Sequence, residues 1–229
     1  MNLAFAYGRF AALVNSLLLV FLLAPLSGSA PANAQSLPVR IAVLGDSLAA
    51  GYGIKPGQAF PMRLEALLKA QGRSVTILNQ GVSGDTTAGG LDRLDWMLAD
   101  KPDIVLVELG GNDALRGIDP ATTEKNLAAI IEKLQAAHVT VWLAGMMAPR
   151  NLGSDYVKAF DGLYKRLAEK YKVPLYPFIL DGLVQDPSLV QADGIHPTPK
   201  GAEIIADHLL PFVTKNLDDA QAVHRSSHP

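Results

Sequence analysis

Hydrophobic residues along this chain fall into two alternating kinds of segment. Short, nearly continuous apolar runs occur at Val39–Leu44, Val75–Asn79, Ile104–Leu109, Val139–Ala144 and Leu175–Phe178. They lack the in–out alternation of a half-exposed strand, so they predict strands covered on both faces. Between them apolar positions recur at helical spacing. Leu64, Leu67 and Leu68 form one stripe, Leu91, Leu94 and Leu98 a second, and Leu127, Ile130, Ile131 and Leu134 a third. Phe160, Leu163, Tyr164, Leu167 and Tyr171 continue the spacing for longer, and Ile204, Ile205 and Leu209 mark a last helix after Pro199. Stripes of this period, aromatic positions included, are the buried faces of helices.

Strands that alternate with helices need crossover connections, which are right-handed and cover a parallel sheet on both sides. The pattern therefore predicts an α/β fold: a three-layer α/β/α sandwich around a five-stranded parallel sheet of flavodoxin-like order. It contains no internal repeat and no second domain. One domain is expected over residues 35–217, and the polar stretch 218–229 is expected to be a frayed tail.

Residues 1–34 are patterned differently. Arg9 is the only charged residue before Arg40, and the run from Phe10 to Ala24 is apolar apart from Asn15 and Ser16. Pro25, Ser27 and Gly28 break the run, and Ala32-Asn33-Ala34 has the small-x-small form that a signal peptidase reads. These features predict a secretory signal peptide cleaved after Ala34. The run falls short of the ~20 residues that span a bilayer, so no stable membrane anchor is expected after cleavage. The mature protein is expected to be periplasmic or secreted.

The whole chain of 229 residues carries a formal net charge of −2. Arg9 is the only charge lost with the leader, so the mature chain is one unit more negative. Mild acidity without a basic cluster argues against nucleic acid or an anionic membrane as partner. The chain contains no cysteine, which excludes disulfides, thiolate metal sites, a thiol nucleophile and a lipidated N-terminal cysteine. Its stability must come from the core.

Ligands of open parallel sheets bind outside the carboxyl ends of the strands, and each unusual polar cluster here falls at such an end. Gly45-Asp46-Ser47-Leu48 follows the first strand, Gly81 to Thr86 the second, and Gly110-Gly111-Asn112-Asp113 the third. Met146, Met147, Ala148, Pro149 and Arg150 follow the fourth, while Asp193 and His196 lie beyond the fifth. Acyl transfer needs a nucleophile, a general base, an acid that orients the base, and donors for the tetrahedral oxyanion. Ser47 is the candidate nucleophile. Of five histidines, His138 precedes the fourth strand on the opposite rim, His208 belongs to the last helix, and His224 and His228 lie in the tail. His196 alone is expected to reach Ser47. Asp193, three residues earlier, is close enough to fix the imidazole tautomer; its alternative role is that of a helix N-cap or turn aspartate. Gly84 and Asn112 suit the oxyanion role, through a backbone N–H unobstructed by a Cβ and a side-chain amide. Asp46 and Asp113 are expected to brace loops. Met146, Met147 and Pro149 are the candidate walls of a shallow apolar groove for small-to-medium acyl groups.

These blocks resemble the SGNH, or GDSL-type, hydrolase family: Gly45-Asp46-Ser47-Leu48, Ser83-Gly84-Asp85-Thr86, Gly111-Asn112-Asp113 and Asp193-Gly194-Ile195-His196 occur in the family's order. The resemblance covers about Val39 to Phe212. Ala49 to Gly53 and Glu108 to Gly117 look more narrowly like the bacterial arylesterase and thioesterase I/lysophospholipase L1 branch. It implies a periplasmic serine enzyme acting on carboxylic esters, acyl thioesters and lysophospholipids, without metal or organic cofactor. It also implies an oxyanion hole built from the backbone N–H groups of Ser47 and Gly84 with the Asn112 side chain, and a role for residues 145–155 in acyl preference. An α/β-hydrolase is disfavoured because Gly81-Val82-Ser83-Gly84-Asp85 lacks the final glycine of the nucleophile elbow. A nucleotide- or flavin-binding module would need the G-x-G-x-x-G or P-loop pattern, absent after the first strand. A polysaccharide O-acetylesterase or acyltransferase with the same triad stays open.

Overall fold

The computed structural model describes residues 37–226, with side chains described as far as Ala220. The predicted leader lies outside the described residues. Strands β1 (Val39–Gly45), β2 (Val75–Gly81), β3 (Ile104–Glu108), β4 (Thr140–Ala144) and β5 (Leu175–Tyr176) form one parallel sheet in the order β2-β1-β3-β4-β5. That is the flavodoxin-like order predicted above. All five residues of β3 are buried, as are the last five of β1, which explains their uninterrupted apolar character. β5 keeps only two residues of its predicted four. Pro174 and Pro177 bracket it, and a proline cannot donate to the ladder.

Eight α-helices are described: α1 (Ser47–Ala50), α2 (Phe60–Ala70), α3 (Thr87–Asp92), α4 (Leu94–Leu98), α5 (Gly111–Leu115), α6 (Pro120–Ala136), α7 (Ser154–Tyr171) and α8 (Pro199–Ser226). α2 packs against α8, and α6 against α7 and α3, which gives the two helical layers. The predicted stripes are the buried faces: Leu64 and Leu68 on α2, Leu127 to Leu134 on α6, Phe160 to Leu167 on α7. Each such side chain contributes roughly 1.5–3 kcal/mol through burial. The stripe Leu91–Leu98 is not one helix, because the chain breaks at Arg93 into α3 and α4. Of Ile204 and Ile205, only Ile205 is fully buried. The frayed tail predicted from Asp218 is corrected in part: α8 runs on to Ser226, past an internal Pro211, and Asp218 pairs with Arg73.

The chain leaves β1 towards β2 on one side and continues from β3 towards β4 on the other. The crevice where the order reverses therefore lies between the carboxyl ends of β1 and β3, which pair as far as Gly45 opposite Glu108.

Candidate active site

At the end of β1 the chain has no room for side chains. A Cβ on Gly45 would lie 2.4 Å from Glu108 Oε2 and 2.6 Å from the Ala49 Cβ. The chain then turns into α1, a single helical turn. Asp46 caps it, its Oδ1 accepting from the Leu48 N–H at 3.0 Å. Ser47 is the first residue of that turn, where helix geometry leaves the N–H without an internal acceptor, and among the described residues it has none. Gly51, in the left-handed conformation at φ 78°, ends the turn.

The sequence-distant pair is in contact: His196 Nε2 lies 2.9 Å from Ser47 Oγ. His196 Nδ1 lies 2.7 Å from Asp193 Oδ2, while Asp193 Oδ1 accepts the backbone N–H groups of His196 and Ile195 at 3.0 and 2.9 Å. The His196 backbone bond, then its ring and the Ile195 N–H, hold the Asp193 carboxyl down to about 2. Asp193 is therefore a carboxylate at any working pH. Its partner nitrogen Nδ1 carries the proton, so neutral His196 turns its Nε2 lone pair to the Ser47 hydroxyl. Asp193 does not cap α8, which begins at Pro199; one carboxylate oxygen braces the turn, as its alternative role as a turn aspartate required, while the other faces the imidazole.

Asn112 stands at the start of α5 and donates from Nδ2 to Asp46 Oδ2 at 3.0 Å, which leaves its second amide hydrogen for a ligand. Burial pushes the Asp46 carboxyl up to about 6, against the Leu48 and Asn112 hydrogen bonds that favour its charge. Glu108 is fully buried and accepts the Asp46 N–H at 3.3 Å on Oε2, while its Oε1 has no partner among the described residues. Burial, then the charge of Asp46, holds Glu108 well above the ordinary carboxyl range and so favours its protonated form. Asp113 is buried and accepts from the Thr87 N–H at 2.9 Å, the Thr87 hydroxyl at 2.5 Å and the Thr123 hydroxyl at 3.2 Å, bracing α3 and α6 against α5. Asp46 and Asp113 thus have the bracing geometry the sequence suggested.

Gly84 sits in a turn at φ 82°, a conformation that favours glycine. Its carbonyl accepts from Arg116 at 2.7 Å, and its N–H has no acceptor among the described residues. It is not one of the residues that line the cleft.

That cleft has a volume of about 540 Å³ and is floored by Ser47, Asn112 and His196. Met146, Met147 and Pro149 line it, Met146 buried and Met147 half open to solvent. Asp161 of α7 holds their loop through the Ala148 N–H at 2.9 Å and Arg150 at 2.6 Å. The rest of the apolar lining was not foreseen. Phe178, Leu180 and Val184 supply it from the segment after β5, with Leu115 and Ile195. The signal was available, since Phe178-Ile179-Leu180 extends the apolar run of a strand that two prolines cut short. Tyr52, also unforeseen, packs its ring 4.5 Å from the His196 ring at a 40° tilt. Of the remaining histidines, His208 faces the Asp181 carbonyl and His138 sits in the turn before β4, while the side chains of His224 and His228 lie outside the described residues. Among the described residues no cluster of three His, Asp or Glu side chains could hold a metal ion.

Residues 43–204 match the model of the GDSL-like lipase/acylhydrolase family. The chain belongs to this family. The hydrolase is 42% identical over 167 residues to the thioesterase 1/protease 1/lysophospholipase L1 of Escherichia coli K12, covering 72% of this chain and 78% of that protein. It is 37% identical over 179 residues to an arylesterase of Vibrio mimicus, covering 78% and 90%. Its fold matches a structure of the psychrotrophic esterase EstA from Pseudoalteromonas sp., inhibited by monoethylphosphonate, with a TM-score of 0.76, 32% identity and coverage of 79% and 99%. This chain is a serine hydrolase of carboxylic esters, and the choice against a nucleotide- or flavin-binding module is thereby made.

Proposed function

We propose that Ser47 attacks the acyl carbonyl while His196 Nε2 takes its proton and Asp193 stabilises the resulting imidazolium. The observation that carries this reading is the unbroken contact series Ser47 Oγ, His196 and Asp193 at 2.9 and 2.7 Å. The new Oγ–C bond puts negative charge on the carbonyl oxygen. The N–H groups of Ser47 and Gly84 and the free Asn112 amide hydrogen are the donors for it. Collapse breaks the bond to the leaving alcohol or thiol, which receives the proton from His196. Water, deprotonated by His196 in turn, attacks the acyl carbon, and the Oγ–C bond breaks as His196 passes that proton to Ser47, releasing the acid.

The cleft, lined mainly by apolar side chains and within the ~300–1,000 Å³ of small-molecule sites, supports small-to-medium acyl groups over glycan substrates. Aryl and alkyl esters are the first substrate class. Acyl thioesters and lysophospholipids follow from the similarity to the Escherichia coli protein named for those activities. Export to the periplasm or medium is supported by the leader pattern of residues 1–34.

A panel of p-nitrophenyl esters from C2 to C16, run beside an acyl thioester and an acetylated glycan, tests the reading. Turnover that peaks at short or medium chains supports it. Preference for the acetylated glycan moves the assignment to the O-acetylesterase alternative. Ser47→Ala is expected to abolish turnover with thermal unfolding nearly unchanged; retained turnover rejects the nucleophile.

A further inference from the structure

The Ser47–His196 contact joins two segments separated by nearly 150 positions, and side-chain contact alone is a weak way to hold two loops in register. Among the described residues one further hydrogen bond joins the segment after Ser47 to the loop that bears His196, and Gln191 makes it. Its Nε2 donates to the Tyr52 carbonyl at 2.7 Å and to the Pro197 carbonyl at 2.9 Å, so both amide hydrogens are used. Its backbone N–H donates to the His196 carbonyl at 2.7 Å. On the other side the Tyr52 N–H donates to the Ser47 carbonyl at 3.0 Å. A continuous hydrogen-bonded path therefore runs from the Ser47 backbone through Tyr52 and Gln191 to the backbone of His196.

The surroundings are shaped to this carboxamide. A Cβ on Gly53 would lie 2.2 Å from Gln191 Oε1 and 2.9 Å from its Cδ, so the missing side chain is the slot the amide occupies. Gly53 also sits at φ 73°. The path places the Tyr52 ring against the imidazole, which restricts the face of His196 that would otherwise swing away from Ser47.

We propose that Gln191 is a positioning residue: its carboxamide clips the His196 loop to the Ser47 loop and thereby sets the distance over which the proton passes. The proposal rests on the serine-hydrolase reading above. It needs two donors on one planar group, which glutamine supplies and glutamate does not. It acts on proton transfer and leaves the acyl cleft alone, because Gln191 does not line that cleft. A displacement on the ångström scale between nucleophile and base lowers rates by ~10–100-fold.

The test uses Gln191→Glu, which keeps the shape but faces two carbonyls with an acceptor, and Gln191→Met, which keeps the length without hydrogen bonds. Turnover of a p-nitrophenyl ester is expressed per serine titratable with a phosphonate ester, so loss of folded protein cancels. Both variants are expected to lower kcat at least ~10-fold with KM within about twofold, and to slow phosphonylation of Ser47 by the same factor. Gly53→Ala, which presses on the same amide, is expected to cost less in the Gln191→Met background than in the native one. Native kcat per titrated serine in Gln191→Met, or a change confined to KM, overturns the proposal. Turnover surviving in Ser47→Ala would instead remove the reading beneath it, whatever the Gln191 variants do.

Discussion

Asn112 and Glu108 stand on either side of a divide around Ser47: Asn112 lines the cleft and Glu108 is buried away from it. Asn112 spends one amide hydrogen on Asp46 and keeps one free. Asn112→Ala is expected to lower kcat by ~10²–10³ with a small change in KM, measured on the preferred p-nitrophenyl ester. Glu108 is a buried acid whose protonated form the fold favours, whereas in the unfolded chain it ionises above the ordinary carboxyl range. The unfolded state therefore binds fewer protons, and stability falls as pH rises from that range. Asp46, raised to about 6, acts in the same direction, its contribution present below its unfolded value and lost as pH rises through about 6. Glu108→Gln removes one of these losses. Its stability advantage over the native chain is expected to grow between pH 5 and pH 8, by at most about 1.4 kcal/mol per pH unit, in urea unfolding. Parallel curves would place Glu108 ionised in the fold. The type and position of Asn112 were legible as a donor after a strand; the protonation of Glu108 was not, because it depends on what covers the carboxyl from above.

Between elements, the decisive contact is the one-turn helix α1 lying against the end of β2. A Cβ on Gly81 would meet the Ala50 backbone nitrogen at 2.2 Å and the Ala49 carbonyl carbon at 2.7 Å, atoms that cannot rotate away. Gly81→Ala is expected to destabilise the fold by at least ~2 kcal/mol and to lower kcat below the melting range, since the displaced turn carries Ser47; thermal unfolding and kinetics check it together. The glycine was visible in the sequence as part of a polar cluster, but its partner was not, because α1 and β2 are joined through space. Boundaries show the same division. Apolar periodicity located α2, α6 and α7, whose buried stripes are long. It fused α3 and α4, since Leu91, Leu94 and Leu98 keep helical spacing across the break at Arg93, and it overextended β5, where Pro174 and Pro177 decide the length.

At the scale of the molecule, the leader pattern of residues 1–34, followed by a disulfide-free α/β domain, predicts a simple processing event. Export of the full chain in a Gram-negative host is expected to yield a mature N-terminus at Gln35, read by intact mass, and an uncleaved chain would reject the leader. The sequence by itself determined the layered α/β architecture, since burial on two faces leaves an unmistakable apolar pattern. It also determined which candidate residues gather at the sheet's carboxyl rim, since parallel topology delivers every strand end, with Ser47, Asn112 and the loop before His196, to the same side. Only the tertiary structure decided which apolar side chains wall the cleft, why Glu108 favours its protonated form, how far α8 continues, and that Gln191 ties the two catalytic loops. Those features arise from neighbours brought together through space, and no periodicity along the chain encodes the identity of a neighbour.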